Sequence, residues 1–239
     1  MKSMYLAGLT AGLLMFCFNG LAQASLTTIG TATYGLSEYN LIWDEDNNGQ
    51  SLIWLDYSHT PSTWENQKYW AEVILGEVLI LNLDPGFTVD WNSSSWRLPT
   101  AGVDYADWEY YYTHGEYNQA TSEMGHLFCT ELGLKRCLFN STEKLNESEF
   151  DNLIASTYWS STESEYNPDI AWYLSTSPIS QGYTSKSAWQ FYGLAVRSGQ
   201  VSMVPMPGAV WLLGSGLAGL AVFRKKRAHK RFKKTLMYR

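Results

Sequence analysis

Oxygen-bearing side chains alternate through Asp44-x-Asp46-x-Asn48-Gly49. Alternation of this kind before a glycine turn is how a calcium loop gathers hard ligands, but an EF-hand needs a glutamate where this chain has Leu55. The stretch therefore reads first as an acidic turn and second as a calcium site at Asp44, Asp46 and Asn48. His126 has no second His or Cys at paired-ligand spacing and reads as a satisfied or exposed histidine rather than a metal ligand. Carboxylate pairs such as Asp104 with Asp107, or Glu163 with Glu165, are of the right type for glycoside hydrolysis. Sequence does not fix their separation across a substrate, and such pairs read as solvated. Between residues 25 and 202 there is no Gly-x-Ser-x-Gly elbow, phosphate-binding loop or His-Glu-x-x-His. Binding is expected before catalysis, and calcium is the one cofactor the residues suggest.

Charge narrows the partner. Residues 25–202 hold seven basic and twenty-three acidic groups, a formal net charge of −16, whereas nine of the seventeen basic residues crowd between Arg224 and Arg239. Phosphate contacts need clustered Lys and Arg, so no nucleic acid is expected, and polyanions are disfavoured. Ten Trp and fourteen Tyr fall in the same span. Trp54, Trp96, Trp159 and Trp172 are assigned to the core, because tryptophan is highly buried on average. Trp108, Tyr110, Tyr111 and Tyr112 stand among acidic neighbours without clean periodicity and are the candidate ligand-stacking surface. Cys129 and Cys137 would close a short loop in an oxidising compartment; a disulfide and two free thiols stand equal, since spacing cannot show that the side chains face one another.

The elements that must position these residues are mostly strands. Leu41-Ile42-Trp43 and Ser51-Leu52-Ile53-Trp54-Leu55, separated by a polar stretch with Asn48-Gly49, predict a hairpin. Pro61 and the capping box Ser62-x-x-Glu65 predict a helix through Trp64, Trp70, Val73 and Ile74 with its aromatic face in the core. A second helix is predicted from Ser122 to Leu132, with Met124, Leu127, Phe128 and Leu132 on one face and Gly133 as its stop. Tyr158 to Thr162, Ile170 to Leu174 and Phe191 to Arg197 predict three more strands. The expected class is α+β, a mostly antiparallel sheet with two or three helices.

Both ends read as addresses. An apolar run from Met4 to Phe18 and the small-x-small pattern at Ala22-Gln23-Ala24 predict a signal peptide over residues 1–24, cut before Ser25 by signal peptidase after passage through the secretion machinery. Phe16 is too bulky for a lipoprotein cleavage site before Cys17. Residues 203–223 carry no charge and are long enough to cross about 30 Å of hydrocarbon as a helix. Arg224, Lys225, Lys226 and Arg227 follow at once and would hold the tail in the cytoplasm, with the ectodomain of residues 25–202 outside the inner membrane. Val204-Pro205-Met206-Pro207-Gly208, the apolar run and the basic stop together resemble a PEP-CTERM sorting signal. The resemblance implies processing by an exosortase, a membrane protease of Gram-negative bacteria that make extracellular polysaccharide. Met206 departs from the signature, which has Glu between the two prolines.

The motifs between these ends also carry a resemblance. Trp54-Leu55-Asp56-Tyr57, Trp96-Arg97-Leu98-Pro99-Thr100, Tyr158-Trp159-Ser160-Ser161-Thr162, Ala171-Trp172 and Ala195-Val196-Arg197 occur in the order seen in the DUF1566 family, the domain at the C-terminus of the Legionella collagen-like adhesin. The similarity spans roughly residues 40–200 and implies a C-type-lectin-like fold and adhesion to glycans. Arg97 to Thr100 followed by Asp107-Trp108-Glu109-Tyr110 is also similar to relatives of the formylglycine-generating enzyme, whose copper chemistry uses a cysteine pair near the domain's end. Cys129 and Cys137 lie well before that position, so the chemistry is not carried over. The expectation is an exported, non-catalytic surface or matrix protein that binds extracellular polysaccharide; the alternatives are an exported enzyme acting on such polymers and a structural envelope protein.

Overall fold

The computed structural model describes residues 26–101, 122–134, 143, 145, 148–177 and 179–204. Ten strands are seen: β1 (Leu26–Tyr34), β2 (Ser37–Asn47), β3 (Gln50–Ser62), β4 (Ile80–Leu83), β5 (Phe87–Asp90), β6 (Thr157–Glu163), β7 (Ile170–Thr176), β8 (Ile179–Ser185), β9 (Phe191–Ser198) and β10 (Gln200–Met203). Eight form one sheet in the order β4-β1-β2-β3-β9-β6-β7-β8, and β10 pairs with β5 in a second, two-stranded sheet. Every pairing is antiparallel except β6 with β9, which run parallel with Tyr158 opposite Tyr192. The class is therefore α+β with a mostly antiparallel, mixed sheet, as the order of elements in the sequence implies.

The hairpin forms where it was expected. Asn48 and Gly49 link β2 to β3 with φ of 54° and 81°. Two positive values mark a type I′ turn, whose twist suits the strands on either side. Asp46 Oδ1 accepts from Gly49 N at 2.7 Å and fixes the turn further.

The central strands are buried on both faces, which explains why their sequences are apolar runs rather than alternations. Ile42, Leu52, Trp54, Leu194 and Val196 face one cluster with Met124, Leu127 and Phe128. Leu41, Trp43, Ile53, Leu55 and Ala195 face another with Trp64, Trp70 and Leu75. A helix lies on each side. Helix α1, residues 64–78, runs as Trp64–Tyr69, an i→i+5 stretch Trp70–Ile74, and Leu75–Val78. Helix α2, residues 123–131, runs as Glu123–Gly125 and an i→i+5 stretch His126–Glu131.

Two details of α1 differ from the sequence expectation. Pro61 and Ser62 belong to β3, the N-cap is Thr63, and no side chain caps the helix; the amide of Trp64 is instead taken by the carbonyl of Lys186 at 3.1 Å. Tertiary pairing has replaced the capping box. The i→i+5 stretch also slips the helix's facing by a residue, so Ala71 and Leu75 are buried with Trp70 while Val73 is exposed. In α2 the expectation holds: Ser122 Oγ accepts from Gly125 N at 3.0 Å, Met124, Leu127, Phe128 and Leu132 are buried, and Gly133 ends the helix at φ 63°.

Trp54, Trp96, Trp159 and Trp172 are all buried. Full burial of one indole removes roughly 200 Å² from water, about 5 kcal/mol of gross stabilisation before conformational entropy is counted. Their polar edges are satisfied where they go deepest: Trp54 Nε1 donates to Asp44 Oδ2 at 3.2 Å, and Trp159 Nε1 to the carbonyl of Ser62 at 3.0 Å.

Candidate functional site

Strand β2 carries an acid into the core. Asp44 follows Trp43 directly, and its side chain is 0% exposed on the face that α2 covers. Its Oδ2 accepts from Asn47 Nδ2 at 2.8 Å and from Trp54 Nε1. Among the described residues its Oδ1 has no hydrogen-bond partner, and neither does the buried Oδ1 of Asn47. Burial pushes the Asp44 carboxyl above the ordinary carboxylate range, against the two hydrogen bonds and the pull of His126.

Helix α2 brings the other two groups. The i→i+5 turn puts residues five apart on one side, and His126 Nε2 lies 3.2 Å from Glu131 Oε1 with side chains only 12% and 6% exposed. One ligand atom from each of Asp44, His126 and Glu131 lies within 4.8 Å of the others, a group able to hold a metal ion. Burial raises the Glu131 carboxyl, and the Asp44 charge raises it further while His126 opposes both. Stretches of this helical type recur at functional sites, because they aim side chains that a regular α-helix would spread apart.

The structure thus draws on only one of the three residues the turn motif suggested. Asp46 is committed to the Gly49 amide, and Asn48 Nδ2 donates to the carbonyl of Ser122 at 3.4 Å; both are exposed. His126, read from sequence as satisfied or exposed rather than as a ligand, is satisfied by Glu131, and it also lies across the sheet–helix seam from Asp44.

The Trp96–Thr100 and Ser160–Thr162 stretches meet near the start of α2. Arg97 forms an isolated bridge with Val196, and its guanidinium reaches the buried Glu123 at the start of α2 through Nη1–Oε2 at 2.7 Å and Nη2–Oε1 at 2.6 Å. Glu123 Oε2 also accepts from Thr100 N at 2.8 Å. The Pro99 carbonyl takes the Ser161 amide at 2.8 Å, and Thr162 Oγ1 accepts from Ala101 N at 2.9 Å. Arg197 Cζ stands 4.2 Å over the ring of Trp91. Arg97 and Thr100 thus join their stretch to α2, Ser161 and Thr162 join it to β6, and Arg197 joins β9 to Trp91.

A second feature is aromatic and outward. Trp189, in the connection from β8 to β9, is 55% exposed and lies on Phe191 with centroids 6.1 Å apart and planes at 26°. Phe191 is itself backed by Trp159 at 4.6 Å and Tyr173 at 5.1 Å. Sequence reasoning missed Trp189 because it picked surface aromatics by acidic neighbours and lack of periodicity, and no acid lies within five residues of Trp189.

Several expected residues lie outside the described ones: Ala22, Ala24 and Ser25, the aromatic set Trp108, Tyr110, Tyr111 and Tyr112, Cys137 as partner for Cys129, and Pro205, Pro207, Arg224, Lys225, Lys226 and Arg227. Among the described residues no helix is long and apolar enough to cross a membrane. The expected span began at Met203, but Met203 pairs with Phe87 in β10 and Val204 N donates to the Gly86 carbonyl at 2.8 Å, so these two residues are held by the sheet system rather than by a helix. No family model, curated protein or solved structure matches the chain.

Proposed function

We propose that this chain is an exported bacterial envelope protein whose domain has a C-type-lectin-like fold and binds extracellular polysaccharide without transforming it. The observation that carries the reading is Trp189: an exposed indole stacked beside Phe191, with Trp159 and Tyr173 behind, offers a flat apolar face backed by other rings. A face so backed loses little side-chain entropy when a sugar ring stacks on it. The acidic surface of residues 25–202 favours neutral polymers over polyanions. The ordered DUF1566-like motifs and the PEP-CTERM-like end support the same reading. On it the secretion machinery and signal peptidase act at Ala22, Ala24 and Ser25, residues beyond Val204 hold the chain in the inner membrane, and an exosortase-like protease releases it to the cell surface or matrix.

The test is a pull-down of envelope polysaccharide and a glycan array with the full-length protein in detergent. Binding is expected, with Trp189→Ala weakening it about tenfold, the equivalent of about 1.4 kcal/mol, at an unchanged melting temperature. Absence of polymer binding, or equal binding by the variant, overturns the reading. Intact-mass analysis of native protein, expected to start at Ser25 and end near Val204 or Pro205, tests the sorting half separately.

A further inference from the structure

We propose that Asp44, His126 and Glu131 form a structural site for a divalent transition metal of the zinc type, clamping helix α2 onto the β2–β3 hairpin. The three ligand atoms converge within 4.8 Å from two elements that are about eighty residues apart in the chain. A four-coordinate zinc with bonds near 2.1 Å sets its ligand atoms roughly 3.4 Å apart. The His126–Glu131 separation of 3.2 Å already meets that spacing. Asp44 lies within 4.8 Å of both and would move inward to complete that spacing.

Three observations point to a ligand rather than to a cluster of acids. Asp44 is fully buried, yet its Oδ1 has no hydrogen-bond partner among the described residues. Leaving a buried carboxylate oxygen unpaired costs free energy that a metal bond removes. Asn47, whose side chain donates to Asp44 Oδ2, holds a second buried oxygen without a partner and supplies the candidate fourth ligand. The charge also balances: two carboxylates and a neutral imidazole offset one dication, whereas the nearby cation Arg97 is already taken by Glu123.

The donor set selects the metal. Calcium takes oxygen ligands in sixes to eights, so an imidazole argues against it. One imidazole nitrogen with carboxylate oxygens suits a first-row divalent ion such as zinc, and the low exposure of the three side chains suits a structural role. The site sits on the opposite side of the sheet from Trp189 and does not depend on glycan binding. Its position suggests its job: a metal joining the i→i+5 turn of α2 to β2 would add a polar clamp to the apolar packing of Met124, Leu127 and Phe128 and hold the Thr100–Ser122 seam shut.

The experiment is zinc titration of the full-length protein after chelator treatment, read by retained metal per chain and by melting temperature, with cobalt(II) absorption reporting the coordination geometry. One equivalent is expected to be retained and to raise the melting temperature by several degrees. His126→Gln and Glu131→Gln should each lower affinity at least a hundredfold, while Asp46→Asn should leave it unchanged. His126→Gln is the decisive variant if Asp44→Asn does not fold, because a neutral side chain of similar reach is retained. No retained zinc, or retention unaffected by His126→Gln, overturns the proposal; loss with Asp46→Asn but not His126→Gln assigns any metal to the turn instead and overturns it equally.

Discussion

Arg97 and Glu123 meet through two parallel contacts of 2.7 and 2.6 Å, and the carboxylate so held is the first residue of α2. Arg97 comes from the Trp96 to Thr100 stretch and bridges backbone to Val196 in β9, so one side chain ties the sheet to the helix that carries His126 and Glu131. Planar, paired geometry of this kind is specific to arginine and would not survive replacement by lysine.

Removing one partner should therefore be costly. Arg97→Met leaves Glu123 charged in a buried place and is expected to lose about 3–4 kcal/mol, while Glu123→Gln loses less and the double variant recovers part of the loss. Urea unfolding of the four proteins in a double-mutant cycle measures the coupling; strict additivity would show that the pair is not a working joint.

His59 predicts an acid-sensitive region on the opposite face. Its ring lies flat on Trp70, centroids 4.3 Å apart and planes at 6°, and its Nδ1 is 2.7 Å from Gln67 Oε1. Burial pulls its pKa below the ordinary value, with the Gln67 contact opposing. A histidine whose folded pKa is depressed contributes stability that is present above the unfolded value near about 6.5 and is lost as pH falls toward the folded value. Melting temperatures from pH 7.5 to 5 should fall more steeply for the native protein than for His59→Gln. Parallel curves would remove His59 from the account.

Gly30 predicts an edge that tolerates no side chain. Its φ is +150°, and an added Cβ would stand 2.7 Å from Leu83 Cα and closer still to the Asn82 carbonyl on β4. Gly30→Ala should cost about 2–4 kcal/mol and open β4 locally. Hydrogen exchange at Leu81 and Leu83 is the check, with faster exchange there than at Leu55 expected.

Cys129 predicts slow chemistry. Burial alone pushes its thiol up to about 12, leaving almost no thiolate at pH 8. Alkylation of the reduced, folded protein at Cys129 should run on the order of a thousandfold slower than in urea, as peptide mass analysis would show.

The sequence made the frame legible and the buried site only in part. Asn48-Gly49 announced the hairpin because positive φ at two adjacent positions is a demand few residues meet, and the unbroken runs at Leu41–Trp43 and Leu52–Leu55 announced strands covered on both faces. The group at Asp44, His126 and Glu131 was hidden for two reasons. Its helical pair is five residues apart, which regular α-helical spacing does not group, and its third member lies across the fold. One signal was available: an aspartate adjoining Trp43 at the end of an apolar run, where a charged group needs a partner. The capping box at Ser62 failed for the reverse reason, since a carbonyl from Lys186 met the helix amide first.

The stretch ending at Ala101 and the start of α2 at Ser122 are fastened to each other. Met124 N donates to the Thr100 carbonyl at 3.2 Å, Ser122 Oγ to the same carbonyl at 3.3 Å, and Thr100 N to Glu123. Whatever the chain does between residues 102 and 121, its entry and exit are stitched together at the base. The seam is thus a hem: Thr100, Ser122 and Glu123 set where the chain leaves the frame and where it rejoins it.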